Sequence, residues 1–259
     1  MKQQQEVTIQ QLIFSDPTTL TEVNVPVEWA TDGLPVPAAA LRYLVAGTID
    51  VVWFLASGKL AAETVTDLLG RHGITWDQAK RVLDLGCGCG RVLRHFKSIA
   101  GVTFYGRDCN TPAIRWCKRY LGDLFDVNAL EPPLKYDKQS FDLIYAFSIF
   151  THLTEALQIV WMSELPRILV SKGHLIISIR GNAYRNGLSS ADRKRYNQGH
   201  LVVKEPHIAG SNYCNAYHPE DYVRRSLARE FEVIDFIPEG AKGNPPQDVY
   251  LLRKKSEGT

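Results

Sequence analysis

From Arg81 onward the chain alternates short apolar runs with segments of helical period. The order is RVLDLG, a helix through Val92 and Phe96, TFYGRD, another helix beginning at Thr111-Pro112, and a short strand near Phe125 to Asn128. FDLIYAF, a helical pattern from about Glu155 to Val170, and HLIISIR after a Lys172-Gly173 turn complete it. Such alternation predicts a parallel sheet covered by helices. Thr111 suits an N-cap, Pro112 the first helical position and Gly122 the helix end, while Pro166 should kink or shorten the later helix. FEVIDFI and DVYLLRK flank the turn-rich EGAKGNPPQ with no helix between them, so they should pair antiparallel. The expected fold is α/β and doubly wound: a mostly parallel seven-stranded sheet with a C-terminal antiparallel hairpin strand and an N-terminal helical extension.

Upstream of the sheet the pattern changes. Residues 1–37 are rich in Thr, Val and Pro, and Pro26, Pro35 and Pro37 cut any regular period, so they read as an extended arm. Two short helices should follow, one through Ile49, Val52, Trp53 and Leu55 that stops at Ser57-Gly58, and one through Val65, Leu68 and Leu69 to Gly70. Residues 181–215 have no clean period and read as a lid-like insertion over one end of the sheet. This divides the chain into residues 1–74, an arm and helices covering the site, and residues 75–259, the main domain.

The chemistry concentrates in Asp84-Leu85-Gly86-Cys87-Gly88-Cys89-Gly90, where three glycines at alternate positions follow a strand and let the backbone pass close to a ligand. Asp108 ends the next strand, where its carboxylate can accept hydrogen bonds from both hydroxyls of a ribose. The glycines are also expected to open a helix, and strand, loop, helix, strand and acid in this order point to an adenosine-containing cofactor. The dinucleotide pattern puts its third glycine where Arg91 stands, whereas here it falls at Gly90. Asp84 can orient the loop and receive the ammonium of a methionine tail, a group nicotinamide cofactors lack.

RVLDLGCGCGRVLRHF, FDLIYAFSIFTHL and LPRILVSKGHLIISI together resemble the class I S-adenosylmethionine-dependent methyltransferase family over roughly residues 75–255. The resemblance implies S-adenosyl-L-methionine as cofactor and S-adenosyl-L-homocysteine as product. Asp84, Gly86, Cys87, Gly88 and Gly90 would hold the methionine portion, Asp108 the ribose, and Cys109 would lie against the adenine. Asn128-Ala129 stands where the family often has an acid facing the adenine amine, and the Asn128 carbonyl can accept the same bond. Phe147 to His152, at the end of the fourth strand, would face the cofactor and the incoming acceptor.

Methyl transfer from a sulfonium needs alignment above all, plus a base where the acceptor carries a proton. His152 and His218 are the candidate bases, each with a packing role as the alternative reading. Arg180, Tyr184, Tyr213 and Tyr217, in and beside the insertion, are candidates to bind the acceptor. With 30 basic and 28 acidic residues the net charge is +2, which offers no broad field for nucleic acid. The expected partner is therefore a small-molecule methyl acceptor, with oxygen favoured over nitrogen or sulfur. RNA or protein methylation, suggested by the basic run Arg193 to Lys204, and a non-catalytic cofactor-binding module are the alternatives. Five cysteines without secretory context suggest free thiols in the cytoplasm, and their spacing suggests no metal. No stretch reads as membrane-spanning, and a homodimer is left open.

Overall fold

The computed structural model describes residues 28–256. Most of the predicted arm, residues 1–27, lies outside the described residues; Glu28 to Pro37 do run extended, with a turn closed by a bridge between Trp29 and Pro35. Helix α1 (Ala39–Ala46) follows and ends at Gly47, whose left-handed φ of 67° lets its N–H bond the Tyr43 carbonyl. Helix α2 (Val51–Arg71) is capped by Asp50, which accepts from the Trp53 amide. There are thus two helices before the sheet, but not where the pattern put them. Ser57-Gly58 does not stop α2: a Cβ at Gly58 would sit 2.2 Å from the Arg91 carbonyl oxygen, so this glycine serves close packing and not termination.

The strands are β1 (Arg81–Leu85), β2 (Thr103–Asp108), β3 (Phe125–Val127), β4 (Phe141–Ala146), β5 (Leu169–Ile179), β8 (Phe231–Ile237) and β9 (Asp248–Lys254), in sheet order β3-β2-β1-β4-β5-β9-β8. β1 to β5 pair in parallel and β9 runs antiparallel to both β5 and β8, so the expected hairpin is present with its second strand on the inside. Because alternate residues point to opposite faces, Leu83, Leu85, Ile144 and Ile177 join one core with Trp161 and Leu165. Val82, Leu143, Tyr145 and Ile176 join the other, beneath Val65, Leu68 and Leu69 of α2.

Helix α3 (Thr111–Tyr120) starts one residue earlier than expected: Asn110 is the cap, accepting from the Ala113 amide, and Thr111 is the first helical residue. Helix α4 (Glu155–Ile168) is capped by Thr154 and ends two residues after Pro166. Lys172-Gly173 is not a turn before a strand. It lies inside the eleven-residue β5 as an irregularity, where the β4 register shifts between Phe141 and Leu143 and Lys172 takes φ 60°.

No α-helix follows β1. The segment forms turns and one 3₁₀ turn, Leu93–Phe96. A helix would carry Arg91 and Arg94 on neighbouring positions of one face. Here Arg91 bonds Ser57 of α2 and Asn244, while Arg94 bonds Asp32 and the Leu34 and Pro35 carbonyls of the arm.

The insertion is built of short pieces: a 3₁₀ turn Asn182–Gly187, helix α5 (Ser190–Asn197), and β6 (Val202–Lys204) paired antiparallel with β7 (Asn215–Tyr217). Leu188, Tyr196 and Val202 form its small core. Three-residue strands are too short for a period to show. Among the described residues no single helix is long and apolar enough to cross a membrane.

Candidate functional site

The glycine loop turns away from β1 with Gly86 at φ 78° and Gly88 at φ 52°, conformations that side chains disfavour. The Gly86 and Cys87 amides both donate to the Arg107 carbonyl on β2, at 2.7 and 3.0 Å, which fastens the loop to the neighbouring strand. Asp108 ends that strand and points at the loop. Its Oδ2 accepts from the Gly88 amide and its Oδ1 from the Asn110 amide, each at 2.7 Å. A carboxylate oxygen has two acceptor positions, so each can still accept a hydroxyl.

Asn128 follows β3 and its amide bonds the Asp108 carbonyl at 3.1 Å. Its Nδ2 donates to Ala129 O at 2.6 Å, while its Oδ1 is buried with no donor. A buried acceptor without a partner is costly, and an exocyclic amine supplies the missing donor. On the other side of the loop Asp84 is 4% exposed, bonded by the Tyr145 hydroxyl at 2.9 Å. Burial pushes its carboxyl up to about 7, against the pull of the Tyr145 hydrogen bond. Groups that could match a diol, an amine and an ammonium thus stand at the ends of three adjacent strands, β2, β3 and β1.

The space over the loop is shared with the protein itself. A Cβ at Gly86 would lie 1.8 Å from Ile149 Cδ1, and one at Gly88 would lie 2.2 Å from Val45 Cγ1. Part of the demand for glycine is therefore internal packing, and Val45 arrives from α1 and not from the sheet. Cys87, Cys89 and Cys117 are buried around the loop, with the Cys87 and Cys117 thiols within 3.6 and 3.4 Å of the Gly88 carbonyl. Burial pushes Cys87 and Cys89 well up, so these thiols stay protonated and inert. Cys109 and Ala129 are exposed beside Asp108 and Asn128.

The acceptor candidates divide. His152, half-buried just beyond β4, directs Nδ1 at the Cys214 carbonyl at 2.8 Å. A carbonyl only accepts, so Nδ1 carries the proton and Nε2 keeps a lone pair. Burial, then the charge of Arg180, hold this imidazole down at about 4. Arg180 follows β5, donates to the Thr151 carbonyl at 2.8 Å and lies 5.9 Å from the Tyr184 ring, and Tyr184 in turn faces Tyr217 at 6.0 Å. His152, Arg180, Tyr184 and Tyr217 thus stand together at the carboxyl edge of β4 and β5.

His218, Phe147 and Tyr213 do not join them. His218 is fully buried, with Nε2 3.0 Å from Gln158 Oε1 and Nδ1 unpartnered, and burial holds it down at about 3. It anchors the return of the insertion inside the core, where no acceptor reaches it. Phe147 turns into the core beside Tyr145, at 6.0 Å. Tyr213 is 62% exposed on the outer surface.

Tyr145, Ser178 and Gln247 escaped the sequence reading, while Ser148 falls within the Phe147 to His152 segment it named. Tyr145 reads as one apolar position among six in β4. Ser148, at φ 60°, is held by Ser178 Oγ through its amide, and both serines donate to Gln247 Oε1, a residue 1% exposed just before β9. No local signal marks three positions so far apart in sequence.

The sheet order, the loop after β1 and the acid after β2 define a class I methyltransferase fold. An S-adenosylmethionine-dependent methyltransferase from Mesorhizobium loti superposes with TM-score 0.55 at 16% identity, over 74% of this chain and 98% of that one. One from Methanosarcina mazei gives 0.53 at 20% identity, over 72% and 97%. A Burkholderia thailandensis 1,6-didemethyltoxoflavin-N1-methyltransferase, solved with 1,6-didemethyltoxoflavin and S-adenosylhomocysteine, gives 0.52 at 18% identity, over 80% and 82%. Residues 82–173 match the family model described as a methyltransferase domain. Over the matched residues the chain is thus similar to a methyltransferase domain, and the fold around them is the one these S-adenosylmethionine-dependent methyltransferases share.

Proposed function

We propose that the protein methylates a small molecule, by preference on oxygen, at the carboxyl edge of β4 and β5 beneath residues 181–215. The observation that carries this reading is the meeting there of His152, Arg180, Tyr184 and Tyr217 under a segment that closes on the edge. The Gly210 amide bonds the His152 carbonyl at 2.8 Å, and Asn212 Nδ2 reaches the Leu44 carbonyl of α1 at 2.9 Å. Insertion and N-terminal helix would form one roof, which supports reading the described part of the N-terminal segment, residues 28–74, as a cover for the main domain. A compact acceptor held beneath such a roof would be shielded from water.

In this mechanism Asp84 holds the methionine ammonium, Asp108 the ribose hydroxyls, and the Asn128 carbonyl the adenine amine, with Gly86, Gly88 and Gly90 allowing close approach. When bound, the cofactor would supply a methyl group activated by its sulfonium, for in-line transfer to the acceptor with S-adenosylhomocysteine as the leaving thioether. His152, neutral throughout the physiological range, offers Nε2 as a hydrogen-bond acceptor that orients an acceptor hydroxyl, while the roof shields it from solvent. A group held at about 4 is a weak base towards a free hydroxyl, so His152 first aligns it; the proton becomes strongly acidic as the oxygen takes the methyl, and Nε2 accepts it in that step and later releases it to solvent.

One observation weighs against a nucleic-acid substrate. Lys204 of the basic run pairs with Asp192, the acid immediately before that run, so part of its charge is spent internally. Incubation with methyl-labelled cofactor and cell extract tests the reading. Label in extractable small molecules is expected; label confined to RNA or protein overturns it.

A further inference from the structure

We infer that the acceptor is a small carboxylic acid whose carboxylate is bound by Arg180, an inference that rests on the β4–β5 edge being the acceptor site. Arg180 is the cation nearest His152 on this edge, and among the described residues it forms no ion pair with any carboxylate. Of its five N–H donors, the Thr151 carbonyl takes one and the Tyr184 hydroxyl lies beside it. The groups facing it are otherwise neutral: Tyr217, the Cys214 thiol, and the imidazoles of His152 and His218.

A half-buried guanidinium among neutral groups raises the cost of every other positive charge nearby, so it adds to the burial that already holds both imidazoles down. Elsewhere in the molecule buried arginines are compensated. Arg94 grips Asp32 with two bonds of 2.7 and 2.8 Å, and Arg91 lies within reach of the Asp84 charge. Arg180 is the exception at the place where substrate should arrive. A planar carboxylate matches its open fork in charge and geometry, with Tyr184 and Tyr217 as apolar walls. A cationic acceptor would meet repulsion in the same position.

The test uses the full chain, labelled S-adenosylmethionine and a small-molecule extract of the source cells, split by anion exchange into a retained acidic fraction and a neutral and basic flow-through. Labelled product from the acidic fraction is expected. Product from the flow-through alone leaves methyl transfer standing and overturns the anionic acceptor, while no small-molecule product in either fraction sinks the proposed function and this inference together. With the acidic product in hand, Arg180→Gln should lower kcat/KM at least tenfold, chiefly through KM. Calorimetric cofactor affinity should stay within about twofold, and Arg180→Lys should recover part of the loss. Equal losses in the two variants with unchanged KM would show that Arg180 only holds the Thr151 carbonyl, and would overturn its role.

Discussion

The two halves of the site are made differently. The cofactor half runs along three consecutive strand ends, Asp84, Asp108 and Asn128, joined by backbone bonds among the loop, Arg107 and Asp108. The acceptor half is assembled from α1, β4, β5, the insertion and the segment before β9, and its closure rests on single contacts such as Asn212 to Leu44. A site that must hold one invariant molecule is served by a stiff, local frame. A site that sets specificity is placed where loops meet, and loops change without disturbing the sheet.

The contrast implies that damage to the cofactor half should be severe and uniform. Asp108→Ala removes acceptors for two hydroxyls and frees the Gly88 amide, and charge-assisted bonds contribute about 1.5–3 kcal/mol each. Calorimetry should show S-adenosylmethionine affinity falling about a hundredfold, with every acceptor affected alike. A fall of less than threefold would place the ribose elsewhere.

Next in size is an effect of the wall behind the acceptor half. The unfolded chain's imidazole takes up a proton near 6.5, while folded His218 resists until about 3, so its stabilising effect is complete above pH 6.5 and is lost as pH falls. His218→Gln keeps a donor for Gln158 but cannot titrate. Between pH 7 and 5 its stability should gain on the wild type by about 2 kcal/mol in denaturant unfolding. Asp84 works in the opposite sense, because its raised carboxyl binds a proton in the folded state first; only the difference between variant and wild type isolates His218. A constant gap between the two proteins would mean that His218 is protonated inside.

The same raised carboxyl governs cofactor binding. An ammonium prefers ionised Asp84, and a group titrating at about 7 is mostly protonated at pH 6. Affinity should therefore rise about tenfold between pH 6 and 7.5. Asp84→Asn should flatten that slope; a slope that survives would assign the titration to another group.

The unequal construction also explains what could be read from the chain. Asp84, the three glycines and Asp108 lie within 25 positions, and strand periodicity fixes which way they face. Asn128 was legible only through the family resemblance, because no periodicity in so short a strand marks it. The helix expected after β1 failed because Arg91 and Arg94 are drawn to separate partners, Ser57 and Asn244 on one side and Asp32 on the other, which no local pattern records. His152 and His218 looked alike as titratable residues near strand ends. Only tertiary packing separates the imidazole at the β4–β5 edge from the one locked against Gln158.

The smallest effect expected tests the roof. Asn212 is exposed, and its bond to the Leu44 carbonyl joins the insertion to the helix that places Val45 over Gly88. An exposed neutral hydrogen bond contributes about 0.5–1.5 kcal/mol. Asn212→Ala should leave thermal stability almost unchanged, because neither hydrophobic core is touched. If the bond helps close the roof over bound acceptor, KM for that acceptor should rise two- to fivefold while cofactor affinity holds or improves slightly, since α1 is then freer to leave the loop. A parallel loss of cofactor affinity would mean that α1 supports the cofactor and does not compete for its space, and the two halves would have to be regarded as one.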